Sequence, residues 1–225
     1  MVVQDINGSG YPDIVMLASN LREHITVIEN HDGKYLELLW DQLFEQNYPN
    51  DFKELRVYEN SIFDYDGDGR TEILYGLFDE LDGNKWRTYI VDALSGEEKY
   101  RIENSIPLGL LVQENTEKRF ILLADNQPRK ISSQLDLRVG VFESGEIKSI
   151  GELDNARALY NDSSREFDLN TFSTSSAPRT FRQLDTFKDS FIISHGESGQ
   201  EISVVRVSDD EITLEKLLKE RPYPQ

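Results

Sequence analysis

An acidic ten-residue segment occurs twice in this chain. Asp5-Ile6-Asn7-Gly8-Ser9-Gly10-Tyr11-Pro12-Asp13-Ile14 returns as Asp64-Tyr65-Asp66-Gly67-Asp68-Gly69-Arg70-Thr71-Glu72-Ile73, an offset of 59 residues. Asp, both Gly and Ile are identical, and Asn/Asp, Ser/Asp and Asp/Glu are conservative pairs. Each copy feeds an apolar run, Ile14-Val15-Met16-Leu17 or Ile73-Leu74-Tyr75. The likeness continues: Ile25-Thr26-Val27-Ile28-Glu29 and its turn His31-Asp32-Gly33 match Thr88-Tyr89-Ile90-Val91-Asp92 and the turn Leu94-Ser95-Gly96. The offset has grown to 63 there, which places four extra residues in the polar stretch 79–85. A repeat of this period means stacked copies of one supersecondary unit, none of which buries its apolar face alone.

Two fainter copies follow. One holds Phe120-Ile121-Leu122-Leu123-Ala124, then Leu137 to Phe142, a turn at Ser144-Gly145 and Ile147. The other holds Phe191-Ile192-Ile193-Ser194, then Ile202 to Val207, a turn at Asp209-Asp210 and Ile212-Thr213-Leu214. Both have lost the acidic loop, with Glu114–Glu117 and Asp185–Asp189 standing roughly in its place. All these runs are short, rich in β-branched and aromatic residues, and bounded by Gly, Asp, Asn and Ser, so they read as strands and hairpin turns. A strand also precedes the loop in the second unit (Arg56–Tyr58 through Ile62-Phe63) and opens the third (Leu108 to Val112). The expectation is an all-β, β-propeller-like array of about four antiparallel four-stranded blades, in a single domain over 1–225. The units are 1–50, 51–104, 105–153 and 178–225, with a polar loop or insertion at 154–177. From Ile212 to Glu220 strand and helix are equally supported, because Leu214, Leu217 and Leu218 could share a helical face.

Charge narrows the partners. The 24 Lys and Arg stand against 42 Asp and Glu, a net charge of −18 that repels phosphate backbones and anionic lipid heads. Nucleic acid is therefore excluded, and cations, basic proteins and neutral ligands such as sugars remain. No apolar run approaches the ~18 residues of a membrane span, and no secretory leader is recognisable. Cysteine is absent, which excludes disulfides, thiolate catalysis and zinc–thiolate sites.

The acidic loop has the chemistry of a hard-cation site. Positions 1, 3 and 5 offer side-chain oxygens: Asp5, Asn7 and Ser9, or Asp64, Asp66 and Asp68. Position 7 offers a backbone carbonyl, from Tyr11 or Arg70, and position 9 a carboxylate, from Asp13 or Glu72. Gly10 and Gly69 at position 6 permit a turn that a Cβ would oppose. An all-oxygen, flexible set of this size suits calcium, whereas magnesium demands tighter octahedral geometry. The EF-hand shares the opening letters but needs a bidentate Glu at position 12, where this chain has Met16 and Tyr75, and it needs helices on either side. The first copy is the weaker candidate, because Asn7 and Ser9 carry no charge.

The pattern D-x-[DN]-G-x-G-x-x-[DE]-[IL] before an apolar strand resembles the FG-GAP or VCBS repeat, the blade unit of integrin-α-like β-propellers. The likeness covers about the first 100 residues, and no FG-GAP dipeptide pattern accompanies it. It implies that the loop joins the first two strands of a blade and binds calcium, through Asp5, Asn7, Ser9, Tyr11 and Asp13 and through Asp64, Asp66, Asp68, Arg70 and Glu72. It also implies a propeller of seven or eight blades of which this chain supplies a part, so that the missing part of its own propeller is one partner. Closure of the first blade by the last strand of the chain is the alternative. The family is mostly exported, and weak calcium sites fill at extracellular concentrations, so an extracellular, periplasmic or cell-surface location is expected.

No catalytic signature is present. His24, His31 and His195 have no metal-ligand spacing, and no nucleophile elbow, P-loop or dinucleotide fingerprint occurs. Trp40 and Trp86 read as blade packing rather than sugar platforms. Asn161-Asp162-Ser163 fits the N-glycosylation pattern. The expected function is a non-catalytic calcium-binding module for protein or carbohydrate interaction. The alternative is a portion of a propeller-based carbohydrate-active enzyme such as a polysaccharide lyase.

Overall fold

Strand formers dominate the repeated runs, and each run becomes a strand wherever it is described, Val57 and Tyr58 lying outside the described residues. The computed structural model describes residues 1–19, 23–45, 51–56, 61–112, 119–125, 127, 135–143, 146–158, 190–195, 201–207 and 211–218. These hold strands and turns, with no helix among the described residues. Glu114–Glu117, Asp185–Asp189, Asn161–Ser163 and most of 154–177 lie outside them.

The first sheet is an up-and-down meander: β1 (Val2–Gln4), β2 (Asp13–Ser19), β3 (Glu23–His31) and β4 (Tyr35–Phe44), ordered β1-β2-β3-β4. The second repeats it. Its first edge is split into β5 (Lys53–Arg56) and β6 (Ile62–Phe63), which pair with successive parts of β7 (Glu72–Asp79). The strands β8 (Lys85–Asp92) and β9 (Glu98–Glu103) complete it. Next come β10 (Ser105–Val112), β11 (Arg119–Asp125), β12 (Leu135–Glu143) and β13 (Glu146–Ala158), again in chain order. The last group is β14 (Ser190–His195), β15 (Glu201–Val207) and β16 (Ile212–Leu218), so the stretch open to helix or strand is a strand. β13 serves twice: its first part pairs with β12, and Arg157 and Ala158 pair with β14. The sheets hold four, five and seven strands, the last being two meanders joined through β13, and this is the antiparallel construction of propeller blades.

The chain divides into two compact units, Met1–Ile106 and Pro107–Gln225. In the first, β7 is buried along almost its whole length, and its sequence Ile73-Leu74-Tyr75-Gly76-Leu77-Phe78 is accordingly continuous rather than alternating. Ile73, Tyr75 and Leu77 belong to one cluster with Val15, Ile25 and Val27 of the first sheet and Ile6 of its loop. Phe78 packs against Trp86 at 5.5 Å between ring centres, and Trp86 is fully buried. In the second unit Phe120 to Ala124 are all buried, with Leu137, Val139 and Val141 across the pair.

Polar stitches join the two sheets of the first unit. Trp40 Nε1 donates to the Ala93 carbonyl at 2.9 Å, and Glu23 Oε2 accepts the Leu55 amide at 3.1 Å. Gly96 closes the β8–β9 turn beneath the Trp40 ring with φ of +74°. A Cβ there would stand 2.9 Å from Trp40 Cδ2. Gly96→Ala therefore meets both left-handed strain and a ring that is itself hydrogen-bonded, at an expected cost of about 2 kcal/mol. Urea denaturation with an unchanged m-value checks this, and a wild-type midpoint would contradict it.

One irregularity recurs in every blade. Where the third and fourth strands pair, the register skips one residue of the fourth: Leu39, Lys99, Ile150 and Leu217. Each is the extra residue of a β-bulge, left out of the pairing in a strand that bends there. The repeat is thus legible in backbone detail even where the acidic loop has been lost.

Candidate metal centre

The two acidic loops share their turn geometry and four bonds to backbone amides, and differ at position 1, where Asp5 Oδ1 accepts the Ser9 amide and Asp64 Oδ1 that of Gly67. Gly8 and Gly67 have φ of +74° and +75°, and Gly10 and Gly69 both have +86°. Position 1 accepts the amide at position 6 in each: Gly10 N to Asp5 Oδ2 at 2.7 Å, and Gly69 N to Asp64 Oδ2 at 3.1 Å. Position 3 accepts the amide at position 5: Ser9 N to Asn7 Oδ1 at 2.9 Å, and Asp68 N to Asp66 Oδ1 at 3.2 Å. Position 5 accepts the amide at position 7: Tyr11 N to Ser9 Oγ at 3.2 Å, and Arg70 N to Asp68 Oδ1 at 2.8 Å. Position 9 reaches back to the amide at position 2: Ile6 N to Asp13 Oδ2 at 3.0 Å, and Tyr65 N to Glu72 Oε2 at 2.7 Å. The side chain at position 2, Ile6 or Tyr65, is buried in both and pins the loop to the sheet. Side-chain oxygens at alternate positions thus take the place of the backbone carbonyls that a tight turn cannot present.

In the second loop, one oxygen from each of Asp64, Asp66 and Glu72 lies within 4.8 Å of the others. Oxygens bound to a common calcium at ~2.3–2.6 Å cannot be more than about 5.2 Å apart, so these three fit one ion. Asp68 is tied to two of them by one cation: Lys99 Nζ lies 3.3 Å from Asp66 Oδ2, 2.8 Å from Asp68 Oδ2 and 2.7 Å from Glu72 Oε1. The Tyr100 hydroxyl donates to Asp66 Oδ2 at 3.0 Å. The guanidinium of Arg70 points away, 3.9 Å from Asp92 Oδ2, and leaves its carbonyl as the group relevant to a metal.

The first loop is less charged. Both oxygens of the buried Asp13 accept backbone amides, from Ile6 and from Asn30. Asn7 Nδ2 donates to Glu29 Oε1 at 2.7 Å, and the Ser9 hydroxyl donates to the Tyr11 carbonyl at 3.4 Å. Asp5 accepts the amides of Ser9 and Gly10. The first loop thus offers fewer charged donors than the second, and Glu29 is an acidic neighbour that the loop pattern alone does not include.

Local electrostatics follow from these contacts. Burial raises the Glu72 carboxyl above the usual carboxylate range, against the pull of Lys99 and the Tyr65 amide. Hydrogen bonds from Lys99 and the Arg70 amide hold Asp68 below that range. For Lys99, burial disfavours the charge, but its bonds to Asp68 and Glu72 outweigh this and raise the ammonium above the ordinary lysine value. Burial and the bond to Asp66 push the Tyr100 phenol up to about 12.

Glu29, Lys99 and Tyr100 are the members of this neighbourhood that the loop motif does not reveal. Glu29 has a signal, since the 63-residue offset sets it opposite Asp92, another acid. Lys99 and Tyr100 have none, because their approach depends on the bulge. His31 stacks on Tyr35 at 4.6 Å, with its Nε2 2.8 Å from Glu37 Oε2 and 3.3 Å from Glu29 Oε2, the carboxylate that accepts from Asn7.

No family model and no curated protein matches the chain. Among solved structures, it is similar to a crystal structure of a protein from Lactobacillus plantarum, at 14% identity and a TM-score of 0.40. That match covers 92% of this chain and 57% of the other. No helix among the described residues is long and apolar enough to cross a membrane.

Proposed function

We propose that this chain is a non-catalytic calcium-binding module built of propeller-type blades, in which calcium orders the loops that present a protein- or carbohydrate-binding face. The observation that carries the reading is the second loop, where Asp64, Asp66 and Glu72 converge within the span of one ion. Calcium there would be held by Asp64, Asp66, Asp68 and Glu72 and the Arg70 carbonyl. In the first loop it would be held by Asp5, Asn7, Ser9 and Asp13 and the Tyr11 carbonyl. The ion would supply charge neutralisation and a crosslink between the loop and the strand behind it. Asp13 and Glu72 are the hinge of that crosslink, since each already ties position 9 to position 2.

The resemblance to FG-GAP and VCBS repeats supports the same reading, as does the net charge of −18, which favours cations over anionic partners. Sites of this openness fill at the millimolar calcium of exported compartments, and an exported location belongs to the proposal.

Calorimetric titration of chelator-stripped protein tests it. Two calcium sites per chain are expected, with magnesium failing to match either. Asp66→Ala should remove one of them and leave the other. A flat calcium titration would reduce both loops to solvated acidic turns.

A further inference from the structure

We infer that Lys99 is the resident counter-ion of the second acidic loop, and that a metal enters this loop only by displacing it. The inference rests, for its second half, on the calcium reading above.

The placement of Lys99 is specific. Lys99 and Tyr100 are consecutive in β9, and in a regular strand their side chains would leave opposite faces. Both nevertheless reach the same atom, Asp66 Oδ2, at 3.3 Å and 3.0 Å. The bulge makes this possible: Ile90 pairs with Tyr100 and Val91 with Glu98, and Lys99 is the residue between. A bulge swings its extra side chain out of the alternation. Here it swings an ammonium under the loop.

The ammonium is also saturated there. A lysine has three donors and no acceptor, and Asp66, Asp68 and Glu72 take all three. These are positions 3, 5 and 9 of the loop, three of the positions that would ligate calcium. A divalent ion and an ammonium cannot share those oxygens, because at such separations like charges repel strongly in a partly desolvated site. The loop therefore holds one cation at a time.

The other blades set Lys99 apart. The equivalent bulge residues are Leu39, Ile150 and Leu217. Leu39 packs against the apolar cluster, so the first loop has no tethered cation from this position. The two loops are consequently different devices on one scaffold. The first carries fewer charges and relies on metal alone, and the second carries more charges with a cation built in.

The test is Lys99→Leu, which installs the residue that the first blade carries at this position. By calorimetry in dilute salt, calcium affinity at the second loop should rise by an order of magnitude or more, since three charge-assisted bonds no longer compete. Affinity at the first loop should not change, and Asp66→Ala identifies which site is which. A second measurement uses the wild-type protein. Acetylation of Lys99, followed by mass spectrometry, should be slow in chelator and faster in saturating calcium, relative to Lys34. Calcium that binds wild type and Lys99→Leu equally, with Lys99 reactivity unmoved, would overturn the displacement and leave the calcium reading intact. No calcium binding by either protein would overturn the calcium reading and the displacement with it.

Discussion

Glu72→Ala is expected to destabilise the Met1–Ile106 unit by roughly 2–4 kcal/mol and to remove metal binding from the second loop. Glu72 is fully buried. One carboxylate oxygen accepts the Tyr65 amide and the other accepts Lys99, each at 2.7 Å. Truncation leaves a buried amide without its acceptor and takes one of three partners from a cation that is only 19% exposed. It also frees the loop from the β7 strand, because the Tyr65 amide is where position 9 grips position 2. Burial already raises the Glu72 carboxyl, so ionising it in place costs something, and that cost moderates the loss. Glu72→Gln separates the two roles. The amide oxygen still accepts from Tyr65, so most of the stability should return, while metal affinity should not. Urea midpoints for the three proteins decide it, and an alanine variant as stable as wild type would show that the loop is not anchored through this residue.

The parts of this molecule legible in its sequence are those whose signal is local. Ile73 to Phe78 announces a strand buried on both faces because every residue in it is apolar or glycine. The loop announces its own geometry because Gly8, Gly10, Gly67 and Gly69 stand where φ is positive, and no branched residue would tolerate that. The strand at Ile212–Leu218 was not local in this sense. Its leucines fit a helical face as well as an alternation, and pairing with β15 decided it. Lys99 was least legible of all. Nothing in Glu97-Glu98-Lys99-Tyr100 marks a partner for the loop, and alternation would turn Lys99 and Tyr100 to opposite faces. One unpaired residue reverses that, and a one-residue register shift leaves no trace in composition or period. The chemistry of the site thus has two layers. The acidic donors are written contiguously, and the cation that answers them arrives from 27 residues beyond Glu72 through a backbone defect.

Calcium is expected to protect one unit of the chain far more than the other. Both acidic loops lie in Met1–Ile106, and no third lies among the described residues of Pro107–Gln225. A ligand that binds only the folded form stabilises it by about 2.7 kcal/mol per site at a free concentration of 100 times its Kd. Amides of β2, β3, β7 and β8 that exchange by unfolding of their unit should therefore slow by roughly 100-fold per filled site. Amides of β11 and β12 should keep their rates, because no ligand contact there distinguishes the folded from the unfolded unit. The two loops should also differ. Protection through the second loop is reduced by whatever it takes to expel Lys99, so Lys99→Leu should enlarge the calcium effect while leaving exchange faster in chelator. Hydrogen exchange read by mass spectrometry resolves the two units directly. Slowing spread evenly over both would mean that they unfold as one cooperative body, and the local prediction would be wrong. Slowing in neither would leave Lys99 as the only cation the second loop takes, and the acidic repeat would then be a device for turning the chain rather than for holding a metal.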